Sequence, residues 1–332
     1  MTAQASTSAD RSAARTGVGG SRALTTLRQA IGAATAVLAE AGVGSPRVDA
    51  ELLAAHLAGT DRGRLATLPD PDADFFHRYD QAIAARARRV PLQHLTGSAA
   101  FGPLHLKVGP GVFIPRPETE ALLEWAMAQR LPERAVIVDL CTGSGALAIA
   151  LATARSQARV IAVDDDPIAL DYARRNAEST TVELVQADVT VPGLLTELDG
   201  TVELVVSNPP YIPAGADLDP EVAEHDPSHA LFGGADGMTV IAPVVGLAGR
   251  WLKPGGLLAV EHDDTTSEQT VELIAGTKLF AAITPHRDLA GRPRFVTACR
   301  TEGGSASLAG VGAPAPAEGR GSRDRPDRKE PA

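Results

Sequence analysis

Apolar positions recur at intervals of three and four through the first part of the chain. Leu24, Leu27, Ile31, Ala34 and Leu38 make one stripe, and Gly42 and Gly44 stop it. Ser45-Pro46 opens a second helix with Ala50, Leu52, Leu53 and Leu57 apolar. A third is expected over about 71–88, carrying Phe75, Phe76, Tyr79 and Ile83. Short helices of this kind form a small bundle. The period then changes. Between Pro91 and Val108 two short runs flank Gly97 to Gly102, the pattern of a β-hairpin. Gly109-Pro110-Gly111 turns the chain, and Pro117, Glu118 and Glu120 lead into a helix reaching about Ala128.

Beyond Pro132, short β-branched runs alternate with amphipathic stretches. Strands are expected near 135–140, 159–164, 181–186, 202–207, 256–261, 279–284 and 294–300, with helices near 145–155, 167–178, 238–252 and 266–276. That alternation predicts a mostly parallel α/β sheet covered on both faces. The last two strands lie too close for a helical crossover, so they should pair as an antiparallel edge hairpin. Residues 1–22 and 302–332 have Ser, Gly, Ala, Pro and charge but no apolar period, and both are expected to be disordered tails.

Composition narrows the classes. No apolar run approaches the ~20 residues of a membrane span, and the first residues show no hydrophobic signal core. Cys141 and Cys299 are the only cysteines, and the eight histidines are scattered, so neither a disulfide framework nor a metal site is expected. A reducing cytoplasm suits that usage. The net charge is −10, and the N-terminal tail is itself basic, so the folded centre is more acidic still. Neutralising phosphates takes Lys and Arg, so direct nucleic-acid binding is disfavoured.

Candidate chemistry sits at strand ends. Ala135–Leu140 runs into Cys141-Thr142-Gly143-Ser144-Gly145, whose glycines let backbone approach a ligand where strand turns to helix. The next strand ends at Asp164, placed to accept from the two hydroxyls of a ribose; its alternative role is to cap the helix at Pro167. Asp188 follows the third strand, placed to meet a base edge or its exocyclic amine. With one glycine short of the dinucleotide pattern, and Asp139 suited to a cationic amino-acid end, S-adenosylmethionine is favoured over NAD. The fourth strand, Val202–Val206, stops at Ser207-Asn208-Pro209-Pro210-Tyr211. Two prolines send the chain out of the sheet on a rigid course. Carbonyl acceptors and a flat ring held there suit a planar –NH2 group.

The segments Pro115-Arg116-Pro117-Glu118-Thr119-Glu120, Asp139 to Gly145 and Ser207 to Ile212 resemble the PrmC/HemK family of peptide-chain release factor glutamine methyltransferases. Leu95-Thr96-Gly97, Arg175-Asn176-Ala177, Ala230 to Gly237 and Leu257 to His262 add to the likeness, which spans roughly Leu24 to Cys299. The resemblance implies a class I, Rossmann-like S-adenosylmethionine-dependent methyltransferase, seven-stranded, behind a helical N-terminal domain over 23–90, a hairpin linker over 91–116 and a catalytic domain over 117–301. It implies methylation of the glutamine amide in the Gly-Gly-Gln motif of class 1 release factors, leaving S-adenosylhomocysteine, by a monomeric cytoplasmic enzyme. Carried over by position, Cys141, Thr142, Gly143, Ser144 and Gly145 would hold the methionine moiety, Asp164 the ribose and Val189, beside Asp188, the adenine. Asn208, Pro209, Pro210 and Tyr211 would hold the glutamine, with Asn208 also near the cofactor. Cys141 departs from the glycine that many relatives carry, so the turn there must accommodate a Cβ. The same Asn-Pro-Pro-Tyr turn occurs in DNA and RNA amino-methyltransferases, which is the alternative. His262, at a strand end, is expected to be structural, since methyl transfer to an amide needs no general base beforehand.

Overall fold

The computed structural model describes residues 26–302. Both expected tails fall outside the described residues, apart from Glu302, as does Leu24 of the first stripe. The chain divides after Gly97 into two compact units.

The first unit is helical: α1 (Leu27–Glu40), α2 (Pro46–Leu57), α3 (Ala73–Ala87) and α4 (Leu92–Thr96). Thr26 caps α1 in a reciprocal box with Gln29, and Asp72 caps α3 by accepting from the Phe75 N–H. The apolar stripe turns inward as its period requires, with Leu27, Ile31, Ala34 and Leu38 buried against Leu53, Phe75, Tyr79 and Ile83. One charge pair enters this core: Arg86 Nε donates to Asp49 Oδ2 at 2.7 Å. The Tyr79 hydroxyl donates to the Ala50 carbonyl at 2.9 Å, so this buried hydroxyl, too, has its partner. Helix α4 stands where the sequence suggested part of a hairpin run. It is one turn long, too short to show a period, and Gly97 ends it at φ 69°.

The second unit opens with the hairpin β1 (Ser98–Phe101) and β2 (Leu104–Lys107), then α5 (Glu120–Ala128). Phe101 and Leu106 are buried in the same core as α5, so the hairpin is packed into this unit. There follow β3 (Val136–Leu140), α6 (Ala146–Ala154), β4 (Arg159–Asp164), α7 (Pro167–Asn176), β5 (Glu183–Gln186) and β6 (Val202–Ser207). The chain ends through α8 (Pro220–His225), α9 (Ile241–Trp251), β7 (Leu252–Glu261), α10 (Ser267–Gly276), β8 (Phe280–Arg287) and β9 (Pro293–Arg300). Seven strands form one sheet in the order β5-β4-β3-β6-β7-β9-β8. The first five are parallel, and β9 is antiparallel to both its neighbours. The strand period of two sorts side chains between two cores: Val138 and Leu140 face α9 and α10, while Ile137 faces α5 and α6.

Two features escaped the sequence pattern. Strand β7 starts at Leu252, which pairs with Val202 across a register shift before Leu204 meets Leu257, and Gly255 in the extra stretch sits at φ 81°. Helix α8 is six residues long and carries no periodic signal. The strand order also fixes where ligands can sit. From β3 the chain works outward through β4 to β5, then returns to place β6 on β3's other side. That reversal opens a crevice at the carboxyl ends of β3 and β6.

Candidate active site

A cavity of about 460 Å³ occupies this crevice, in the size range of small-ligand pockets. Its walls include Asp139, Gly143, Asp164, Asp188, Asn208 and Tyr211, so residues proposed from three separate motifs converge. Cys141, Thr142, Ser144, Val189, Pro209 and Pro210 line it as well.

The loop after β3 is shaped by left-handed backbone: Cys141 has φ 59°, Gly143 57° and Gly145 87°. The two glycines serve different ends. Gly145 is the N-cap of α6, held at a left-handed φ that side chains rarely adopt and with Ile149 Cδ1 of the same helix 2.8 Å from where a Cβ would stand, and it does not line the cavity. A Cβ on Gly143 would meet nothing within 4 Å, so this glycine leaves open room at the cavity wall. Cys141 does accommodate its Cβ, at the cost of a conformation that non-glycine residues avoid.

Two acids brace the loop. Asp164 Oδ2 accepts from the Gly143 N–H at 2.8 Å, and Oδ1 accepts from the Asp166 N–H at 3.0 Å. The cap of α7 is Asp166, which accepts from the Ile168 N–H, so the capping role weighed for Asp164 belongs to its neighbour. Asp139 Oδ2 accepts from the Thr142 hydroxyl at 2.6 Å and from the Ala148 N–H at 3.1 Å. Its Oδ1 is buried without a hydrogen-bond partner. Burial pushes the Asp139 carboxyl up to about 7, against the pull of Thr142 and Ala148. Burial raises Asp164 to about 6, against its two backbone donors. Asp188 stands exposed at the rim, where its Oδ1 accepts from the Thr190 N–H, and Val189 beside it is buried.

The turn after β6 is held from three sides. The Ser207 hydroxyl donates to the Leu140 carbonyl at 2.8 Å, tying the ends of β6 and β3 together. Asn208 Nδ2 donates to Thr119 Oγ1 at 3.2 Å, which leaves the amide's carbonyl oxygen for a ligand. The Tyr211 hydroxyl donates to Glu261 Oε1 at 3.0 Å. The glycines of the 230–237 stretch now find a reason. A Cβ on Gly233 would lie 2.6 Å from the Pro210 carbonyl oxygen, and one on Gly237 2.3 Å from that of Tyr211. Only bare backbone can run so close beside the turn.

Thr119 and Glu261 were not singled out by sequence reasoning as site residues, although both lie in segments that carried the resemblance. The available signal was an acid closing the apolar run Leu257–Val260. Arg116 pairs with buried Asp226 and lies over the Phe113 ring at 4.9 Å, holding the segment before α5 to the end of α8. His262 is fully buried with Nδ1 2.7 Å from the Asp263 carbonyl oxygen, and burial lowers its pKa; it does not line the cavity. That is the structural place expected for it.

These residues fit S-adenosylmethionine. The unpartnered buried Asp139 Oδ1 matches a cationic amino group, and the space before Gly143 admits a chain against backbone. The Asp164 carboxylate has lone pairs left after its two backbone bonds. Among the described residues no cluster could hold a metal ion, and no helix is long and apolar enough to cross a membrane.

Comparison with known proteins agrees with this geometry. Residues 29–97 match the family described as "PrmC N-terminal domain" and residues 108–226 that described as "Methyltransferase small domain". The chain is 68% identical over 279 residues to a "Release factor glutamine methyltransferase" of Mycobacterium tuberculosis (strain ATCC 25618 / H37Rv), covering 83% of this chain and 92% of the relative. It is 68% identical over 277 residues to the protein so named in Mycolicibacterium smegmatis, covering 83% and 99%. In Streptomyces coelicolor the identity is 50% over 270 residues, covering 80% and 95%. With relatives this similar along nearly their whole length, and with the loop, acids and Asn-Pro-Pro-Tyr turn assembled on one cavity, the chain belongs to the release factor glutamine methyltransferases.

Proposed function

We propose that this protein transfers a methyl group from S-adenosylmethionine to the side-chain amide nitrogen of the Gly-Gly-Gln glutamine in class 1 release factors, as a cytoplasmic monomer. The observation that carries the reading is the orientation of Asn208. Its NH2 is committed to Thr119, so its carbonyl oxygen is the end available to a substrate –NH2 in the cavity.

Bound in the cavity, S-adenosylmethionine supplies a methyl group on a cationic sulfur, an electrophile that needs no further activation. The chain's own residues then have three tasks. The 141–145 loop and Asp139 hold the amino-acid end, Asp164 the ribose hydroxyls, and Asp188 with Val189 the adenine. Asn208 Oδ1 and the Pro209 carbonyl accept the two substrate N–H bonds. An amide nitrogen is a weak nucleophile because its lone pair is delocalised into its own carbonyl. Two acceptors placed on one side favour a pyramidal nitrogen, free its lone pair on the other and stabilise the positive charge that develops. Tyr211, fixed by Glu261, covers the amide plane, and Pro209 and Pro210 keep the acceptors from moving. Asn208 needs no base beside it, since the proton leaves after transfer.

The helical unit, which ends at Gly97 rather than at the residue 90 expected from sequence, is assigned to docking of the protein substrate, and the unit from Ser98 onward, hairpin included, to catalysis. The helical unit's buried Arg86–Asp49 pair joins α3 to α2 inside its core, a structural role. The deciding experiment supplies labelled S-adenosylmethionine with either a class 1 release factor or nucleic acid. Label located on the Gly-Gly-Gln glutamine supports the reading. Label entering nucleic acid, with none in the release factor, overturns it.

A further inference from the structure

We propose that Thr119 and Glu261 form a buried relay that decides which end of the Asn208 amide faces the cavity, and so act as positioning residues for methyl transfer. This rests on the reading of Asn208 as the acceptor for the substrate amide.

Thr119 is 4% exposed and Glu261 1% exposed, and they come from chain segments far apart in sequence. A hydroxyl has one proton to give and two lone pairs to receive. Asn208 Nδ2 donates to Thr119 Oγ1, so the Thr119 proton has to be directed elsewhere. The acceptor beside it is the Glu261 carboxylate, which the Thr119 hydroxyl helps to hold in its charged form. Glu261 also takes the Tyr211 proton at Oε1, whereas Oε2 meets no donor in good hydrogen-bonding geometry. The Thr119 contact is therefore the looser of the two, and it is the one we expect to tighten when substrate closes the site.

An ionised carboxylate can only accept. With Glu261 charged, both hydroxyls must point their protons at it, and the direction of the chain is set: Asn208 gives to Thr119, Thr119 to Glu261, and Tyr211 to Glu261. Turning the Asn208 amide over would set its carbonyl oxygen against a Thr119 oxygen whose proton is already committed. A neutral Glu261 removes this constraint. It can donate to one hydroxyl, which frees Thr119 to donate to Asn208 Oδ1. The Asn208 NH2 would then face the substrate NH2, donor against donor.

The groups around Glu261 put it near that switch. Tyr211 reaches it from the turn after β6, Arg294 from β9, and Glu118 and Thr119 from the turn before α5. Burial and Glu118 favour the neutral form, while Thr119, Tyr211 and Arg294 favour the charged one. The balance leaves its carboxyl at about 7. Arg294 is itself held by Asp288 Oδ2, at 3.1 Å, so its charge is fixed in place. The relay should be set at the upper end of the physiological range and lost as pH falls through 7.

The test uses the full-length protein, a class 1 release factor and saturating S-adenosylmethionine, so that titration of the cofactor-side acids drops out. Thr119→Val keeps the shape and removes the hydroxyl. Its single-turnover rate should fall about tenfold, less than the loss of a direct transition-state contact, with cofactor affinity unchanged. Thr119→Ser should restore most of the rate. The wild-type rate should rise with pH across about 7, and Glu261→Gln should be slower and lack that step. A Thr119→Val protein at the wild-type rate, a Ser variant as slow as the Val one, or a Glu261→Gln protein that keeps the rise would each overturn the relay. If Glu261→Gln does not fold, the Ser rescue and the wild-type profile still decide. Asn208→Ala in the same assay separates the two levels. If it is slow and Thr119→Val is not, only the relay fails; if it too is unimpaired, the reading of Asn208 fails.

Discussion

The glycine loop and the Asn-Pro-Pro-Tyr turn end neighbouring parallel strands, yet opposite means hold them. The loop is a backbone device. Its shape comes from three left-handed residues, and its braces are main-chain N–H groups meeting Asp139 and Asp164. The turn is a side-chain device. Prolines deny it backbone donors, and Thr119, Glu261 and Leu140, all remote in sequence, hold Asn208, Tyr211 and Ser207. The loop presents N–H groups and buried negative charge, matching a cationic ligand. The turn presents acceptors without charge, matching an amide. If, as proposed, one end of the cavity binds by electrostatics and the other aligns, the two should fail differently when broken.

The sharpest break is Asn208→Ala. It leaves one substrate N–H without an acceptor inside the site while sparing the strand behind it. Single-turnover transfer should drop by ~10²-fold, as for a lost preorganised contact in a transition state, and cofactor titration should give an affinity near that of the native protein. Equal rates for the two proteins would place the acceptor elsewhere.

At the loop the effect should appear in binding. Asp164→Ala removes an acceptor from the Gly143 N–H as well as from the ligand, and should weaken S-adenosylmethionine by about 1–3 kcal/mol. Calorimetry that returned the native affinity would remove Asp164 from the cofactor site. A milder probe of the same end is pH. Asp139 at about 7 and Asp164 at about 6 are largely protonated at pH 5.5 and charged at pH 8. A cationic ligand prefers the charged acids, so affinity should rise with pH across that window, by about tenfold for a coupling near one pKa unit. Flat affinity from 5.5 to 8 would mean that the charge of neither acid contributes to binding.

The same contrast explains what the sequence could and could not disclose. The loop was legible because its parts are local: strand, glycines and the acid at the next strand end follow one another at short range. The strands were legible too, since Val136–Leu140 and Val202–Val206 are short β-branched runs, apolar apart from Asp139 and Glu203, of the kind a doubly covered sheet takes. Helices α4 and α8 were not, because one turn shows no period. The turn was half legible. Two prolines announced its rigidity, but the direction of the Asn208 amide depends on Thr119, which lies in another segment. The placing of Gly233 and Gly237 beside that turn was likewise hidden, since nothing local requires a glycine there.

The smallest expected effect tests how much strain the loop stores. Cys141 sits at φ 59°, a conformation that costs a residue with a Cβ roughly 1 kcal/mol. Cys141→Gly removes that cost. It also makes the unfolded chain freer by about 0.5–1 kcal/mol, and it gives up the packing of a partly buried thiol against the core below. The losses slightly exceed the gain, so the melting temperature should fall by no more than about 3 °C, given a few degrees per kcal/mol for a unit of this size. Cofactor affinity should stay within about twofold, because the loop's N–H groups remain. Burial, with Asp164 and Asp139 nearby, pushes the Cys141 thiol well above its ordinary range, so it is no nucleophile, and iodoacetamide should label it slowly at pH 8. A clear rise in melting temperature would show instead that strain outweighs packing, and that glycine is the better residue for stability at this position.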